Sequence, residues 1–167
     1  MTLTAHAIVG ASIASIMPSH PVLGFVAGFT SHFLLDAIPH WDYSLASSKK
    51  DEKNPMNNDI IINLYFIFDL FKMGFDVAIG VTIAMLLFGI SNYHLQWTPI
   101  WGMIGALVPD VLQLVYFKWR HEPLISLQRF HTWIHGEKDL NDRPILGISL
   151  QVSIIIFFVA VSKFLFN

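Results

Sequence analysis

Five apolar stretches constrain this chain more than any other feature: Ala5–Met17, Pro21–Ile38, Ile60–Ile90, Pro99–Phe117 and Pro144–Phe166. A bilayer core of about 30 Å is crossed by about 20 apolar residues in a helix. Because lipid offers the backbone no hydrogen bonds, only helices or closed barrels span it. Runs of this length predict an all-α, polytopic integral membrane helix bundle of about 4–5 transmembrane segments, forming one domain over residues 1–167. The chain is 54% hydrophobic and 13% charged, far from the balance of a soluble domain.

The first stretch is short, so it is either a full, tilted crossing or a partial one. The tight exit Pro18-Ser19-His20-Pro21 sets it antiparallel to the second. The third is about ten residues too long for one crossing, and its first half carries Asp69 and Lys72, so an interfacial start before Gly74 is expected. Gly24-x3-Gly28 is a spacing that permits close helix contact in lipid. Two polar segments remain, a flexible hydrophilic loop at Tyr43–Asn58 and a longer one at Lys118–Arg143 with a short helix in PLISLQRFHTWIH. With single crossings, both fall on one side, together with Lys49, Lys50, Lys53, Lys118, Arg120, Arg129, Lys138 and Arg143. By the excess of basic residues, that side is cytoplasmic, in the inner or plasma membrane of the cell. The opening MTLTAHAIVG lacks a basic n-region and a small-residue cleavage site and reads as part of the mature fold.

The net charge of −2 argues against nucleic acid as a partner. Cysteine is absent, so a metal would be bound through nitrogen and oxygen. Ionisable residues inside apolar segments are the second constraint, since each costs roughly 2.5–3.5 kcal/mol on insertion scales. His32 and Asp36 lie four apart on one helix face and are followed by His40 and Asp42; His131 and His135 repeat the spacing in HTWIH. His6 begins the first stretch, and Asp110 follows Pro109 within the fourth. The expected metal ligands are His6, His32, Asp36, His40, Asp110, His131 and His135, gathered at the loop side. Asp69, Lys72 and Asp76 share a face of the third stretch, where an Asp69–Lys72 pair competes with a ligand role and Asp76 is the deeper group. Asp42 and Asp76 are the expected catalytic carboxylates, with Asp69 an alternative general base. Such a set suits one or two divalent transition ions, Zn2+ first and Mn2+ or Fe2+ as alternatives.

The opening His6-Ala-x2-Gly, the stretch SHFLLDAIPHWD, Pro109-Asp110 and FHTWIH together resemble the predicted membrane-bound metal-dependent hydrolases, a group related to LexA-binding inner-membrane hydrolases. His32-x3-Asp36-x3-His40 is also similar to the metal-binding stretch of zinc-dependent phospholipase C. Ser31, His32 and the late HxxxH pair are similar to the ceramidase-like membrane hydrolases, although the chain is too short for their seven spans, which argues against a ceramide-type substrate. The resemblance implies a hydrolase that cleaves a phosphoester or acyl bond of a membrane lipid with metal-activated water. The alternative is a membrane metal-binding or cation transport protein without hydrolytic activity.

Overall fold

The computed structural model describes residues 1–17, 19–91, 94–135 and 140–166; Pro18 of the expected turn and Lys138 of the basic set lie outside the described residues. The chain is an all-α bundle: α1 (Leu3–Ser15), α2 (Pro21–Asp36), α3 (Leu64–Ala84, continued by a π-helical turn over Met85–Gly89), α4 (Trp97–Lys118), α5 (Leu124–His135) and α6 (Pro144–Phe166). Three helices are long and apolar enough to cross a membrane, at Leu64–Gly89, Trp97–Lys118 and Pro144–Leu165, while α1 and α2 are shorter apolar helices. Phe75 at 70% and Ile145 at 83% exposure show how α3 and α6 turn large apolar side chains outward. Faces of this kind are stable against lipid and not against water. The chain is therefore a membrane protein.

Local signals start the helices. Thr2 and Asn63 cap α1 and α3 by accepting from the amides of Ala5 and Phe66, and Pro21 opens α2 with its fixed φ. The amphipathic segment Leu124–His135 is helical, as expected. The third stretch is not interrupted at Gly74: α3 runs on through it, and nothing lies within 4 Å of where a Cβ would stand.

α1 occupies the centre, with Ala5, Ala7, Val9, Ala11 and Ala14 almost wholly buried. Lipid tails are as apolar as leucine, so helices here associate through close van der Waals fit at small residues. A Cβ on Gly10 would stand 2.5 Å from the Cβ of Ala106 and 2.7 Å from the Gly102 carbonyl oxygen; one on Gly28 would run into that same carbonyl. The Gly24-x3-Gly28 spacing thus seats α2 on α4, with Gly24 facing Thr98.

The segment expected to be a flexible loop is folded. Ser48–Lys49 (β1) pairs with Asp59–Ile60 (β2), and the Met56 carbonyl accepts from the Tyr116 hydroxyl at 2.9 Å. Asp69 and Lys72 do not form the expected pair with each other; both reach that segment. The Asp69 carboxylate accepts from the amides of Ala46 and Ser47 and from the Ser47 hydroxyl at 2.6–3.1 Å, and the Lys72 ammonium donates to the Ser44 carbonyl at 2.8 Å. Backbone amides that would otherwise be unpaired near an apolar helix satisfy the carboxylate better than one lysine would. Gln151, buried in α6, donates to the Trp41 carbonyl at 2.6 Å and accepts from the Thr2 hydroxyl at 3.0 Å. One side chain thereby ties α6 to the start of α1 and to the segment after α2.

Candidate metal centre

Asp36, in the last turn of α2, is the hub. Its Oδ1 lies 3.1 Å from His6 Nε2 on α1 and 2.9 Å from the α-amino group of Met1, while its Oδ2 lies 3.1 Å from His32 Nε2 and 3.0 Å from His131 Nε2 on α5. Asp110, 24% exposed on α4, approaches His32 Nε2 at 3.8 Å. Asp36, His6, His32, His40 and His131 are buried, though all are ionisable. Helices α1, α2, α4 and α5 each place at least one of these groups at the same end of the bundle.

Two backbone carbonyls fix the histidine tautomers. A carbonyl can only accept, so His32 Nδ1–H donates to Ala106 at 2.9 Å and His40 Nδ1–H donates to Ile38 at 2.7 Å. Each neutral ring then turns its Nε2 lone pair into the cluster. For His32 that lone pair meets the Asp36 carboxylate at 3.1 Å and His131 Nε2 at 3.3 Å. Electron pairs so placed repel one another unless a proton or a cation lies between them. His6 adds a second sign, stacking on His32 with ring centroids 4.1 Å apart while neither of its buried nitrogens makes a hydrogen bond of good geometry. An orphaned buried imidazole is costly in apolar surroundings, and a metal ion is its natural partner.

Among the described residues, three groups of side chains could hold a metal ion, each with ligand atoms within 4.8 Å of one another: His6, His32 and Asp36; His32, Asp110 and His131; and Asp36, His40 and His135. All seven expected ligands thus fall into groups that share His32 and Asp36. The HTWIH pair is divided, however, with His131 in the second group and His135 in the third. Their rings are 6.3 Å apart, so the i, i+4 spacing serves two neighbouring positions instead of clamping one ion. Burial pushes His40 down to about 4 and lowers His135, which keeps both imidazoles neutral and available as ligands near pH 7.

The two expected catalytic carboxylates part company. Asp42 lines a cavity of about 1010 Å³ with Asp36, Asp110, His131 and His135, and burial raises its pKa to about 6. Its position is held by the Asn141 side chain, which accepts from the Asp42 amide at 2.9 Å. Asp76 does not line that cavity. Its carboxylate accepts from the amides of Leu3 and Thr4 and from the Thr4 hydroxyl at 2.6–3.3 Å. An acidic group at a helix N-terminus satisfies orphan donors and complements the dipole, so Asp76 anchors the helix that carries His6.

Sequence reasoning missed the carbonyls of Ala106 and Ile38, the cavity lysines Lys50 and Lys72, and Gln151. Only Gln151 carried a signal, as an isolated amide in an otherwise apolar span. Set against known proteins, the chain matches no family model, no curated protein and no solved structure.

Proposed function

We propose that the chain is a membrane-embedded metal-dependent hydrolase, with Zn2+ as the favoured ion and Mn2+ or Fe2+ as alternatives, that cleaves a lipid at the cytoplasmic face. The observation that carries this reading is the convergence of three overlapping His/Asp groups at one helix-bundle end, where Asp36, His40, Asp110, His131 and His135 line one large cavity. A bound divalent ion would act there as a Lewis acid and lower the pKa of a coordinated water toward 7. Asp42, with its pKa near 6 and its place on the cavity wall, suits the role of general base. The same cavity is lined by Leu45, Ile60 and Phe117, surfaces for an acyl chain, together with Lys50 and Lys72. Among the described residues neither lysine has a carboxylate within 4 Å; Lys50 is available to an anionic headgroup, and Lys72, which donates to the Ser44 carbonyl, adds its uncompensated charge, which favours a phosphoester over an acyl bond. The cytoplasmic orientation rests on the basic residues at the cavity end of the bundle, among them Lys49, Lys50, Lys118 and Arg120.

The cation-transport alternative asks for polar groups across the whole membrane. The cavity at the other end, about 480 Å³, is lined by Lys163 and, among the described residues, by no aspartate, glutamate or histidine, a poor path for a cation.

Purified protein should retain one or two transition-metal ions and hydrolyse a phospholipid-like substrate, losing that activity to chelator and regaining it with zinc or manganese. His135→Ala should abolish activity, whereas His94→Ala, outside all three groups, should leave it nearly unchanged. Metal-replete protein that cleaves no lipid in a broad panel but moves cations into liposomes would overturn the proposal.

A further inference from the structure

α5 presents two faces of opposite character. Inward it sends Leu124, Gln128 and His131, all buried. Outward it shows Phe130 at 43% and Trp133 at 74% exposure, beside the exposed Arg129. Twelve residues are too few to cross a bilayer, and the segment connects to α4 only five residues after Lys118. The outer aromatic rings do not form an isolated patch. Trp133 lies 5.9 Å from Phe130, Phe130 lies 5.0 Å from Phe33, and Phe33 belongs to α2, whose outward side chains Val26 and Leu34 are also exposed. Phe33 is itself buried, so the ring contacts pack α5 against α2 from within, and exposed apolar side chains of both helices, Val26 and Leu34 on α2 and Phe130 and Trp133 on α5, stand around that joint.

We propose that this outer face of α5 is a membrane-docking surface, with Trp133 and Phe130 seated in the lipid headgroup region and Arg129 among the phosphates. Tryptophan and arginine are the residues that the bilayer boundary selects, because each joins an apolar or stacking body to a polar group that stays hydrated. A short helix with aromatic residues on one side and polar ones on the other lies in that boundary instead of crossing it. The lipid surface is the occupant that the neighbouring α2 favours, since Val26 and Leu34 expose large apolar side chains in a chain that is a membrane protein. The ring contacts reach the metal ligands directly: Phe33 stands 5.2 Å from the His32 ring and 5.5 Å from the His131 ring. Docking would thus hold the helix that supplies His131 and His135; this last consequence rests on the proposed metal site, whereas the docking itself does not.

The absence of cysteine makes a direct test simple. Nitroxide labels on Trp133→Cys, Phe130→Cys and, as an aqueous reference, Glu52→Cys would be examined in phosphatidylcholine–phosphatidylglycerol nanodiscs, comparing collisions with oxygen and with a water-soluble nickel chelate. The expected result is an oxygen-to-nickel accessibility ratio at least about tenfold higher at positions 130 and 133 than at 52. Equal ratios at all three positions would mean that the face is in water and would overturn the proposal. Labels at 130 and 133 shielded from both reagents would mean a protein partner instead, and would also overturn it. If the expected ratios appear in protein that binds no zinc, the docking stands and the metal-centre reading falls.

Discussion

Asp36→Asn isolates the charge at the hub of the site while preserving its shape. The amide keeps the volume of a residue that is 2% exposed and touches three histidine nitrogens within 3.1 Å. It removes the only anionic ligand from two of the three groups that could hold a metal. A metal present at about 100 times its Kd stabilises the folded state by about 2.7 kcal/mol. If loss of the carboxylate weakens binding by about 100-fold, the same concentration stabilises the variant by only about 0.4 kcal/mol. At about 2–4 °C per kcal/mol for a chain of this size, a metal-induced rise in Tm of about 5–11 °C should shrink to about 1–2 °C. The assay is thermal unfolding in detergent with and without zinc, the metal-free curves separating this effect from any general loss of stability. A variant whose zinc-induced shift equals that of the unmodified protein would refute the hub role of Asp36 and the argument from facing lone pairs.

Three further outcomes follow from the packing and the caps. Gly102→Val should destabilise the bundle by about 1–3 kcal/mol, because even a Cβ there would collide with α1; a Tm within 1 °C of the parent would contradict the close crossing. Asp76→Ala should cost about 1 kcal/mol as a lost helix cap and weaken metal binding through His6, with Asp76→Asn restoring both only in part, since its amide keeps one of the two acceptor oxygens; a catalytic Asp76 would instead lose turnover in both variants with metal content intact. For metal-free protein, His40 titrates near 4 when folded and near 6.5 when unfolded, so the unfolded chain takes up the proton first on acidification. The His40 contribution to stability should therefore fall by up to a few kcal/mol between about pH 6.5 and pH 4, read as the difference between the Tm–pH profiles of the parent and His40→Gln, because Asp42, raised to about 6, acts in the opposite direction and His135, also lowered, in the same one.

The helices were legible because apolar runs of membrane length leave the backbone few alternatives, and the stretches end within a few residues of the observed helices. The ligands were legible for the same reason, since an ionisable side chain in such a run is conspicuous. What spacing could not supply was the partner of each polar group. Asp69 and Lys72 stand three apart on α3, yet unpaired backbone between Ser44 and Ser47 takes both. Asp76 is spaced like a catalytic group, but the free amides of Leu3 and Thr4 at the start of α1 claim it. The tautomers of His32 and His40 depend on carbonyls of Ala106 and Ile38, which have no signature because every residue has a carbonyl.

The pair of hydrogen bonds that Gln151 makes bears on biogenesis. A membrane protein is threaded into the bilayer from its N-terminus, so Met1, His6, His32, Asp36 and His40 are in place well before α6 is made. Until Gln151 arrives, nothing else described here joins Thr2 to the Trp41 carbonyl, and the start of α1 is held to the end of α2 only through the polar cluster itself, by Met1 and His6 at Asp36. His131 and His135 also emerge late. The final geometry of the site is consequently a property of the fully inserted chain, and a ribosome stalled before α6 should leave a bundle in the membrane that holds metal loosely.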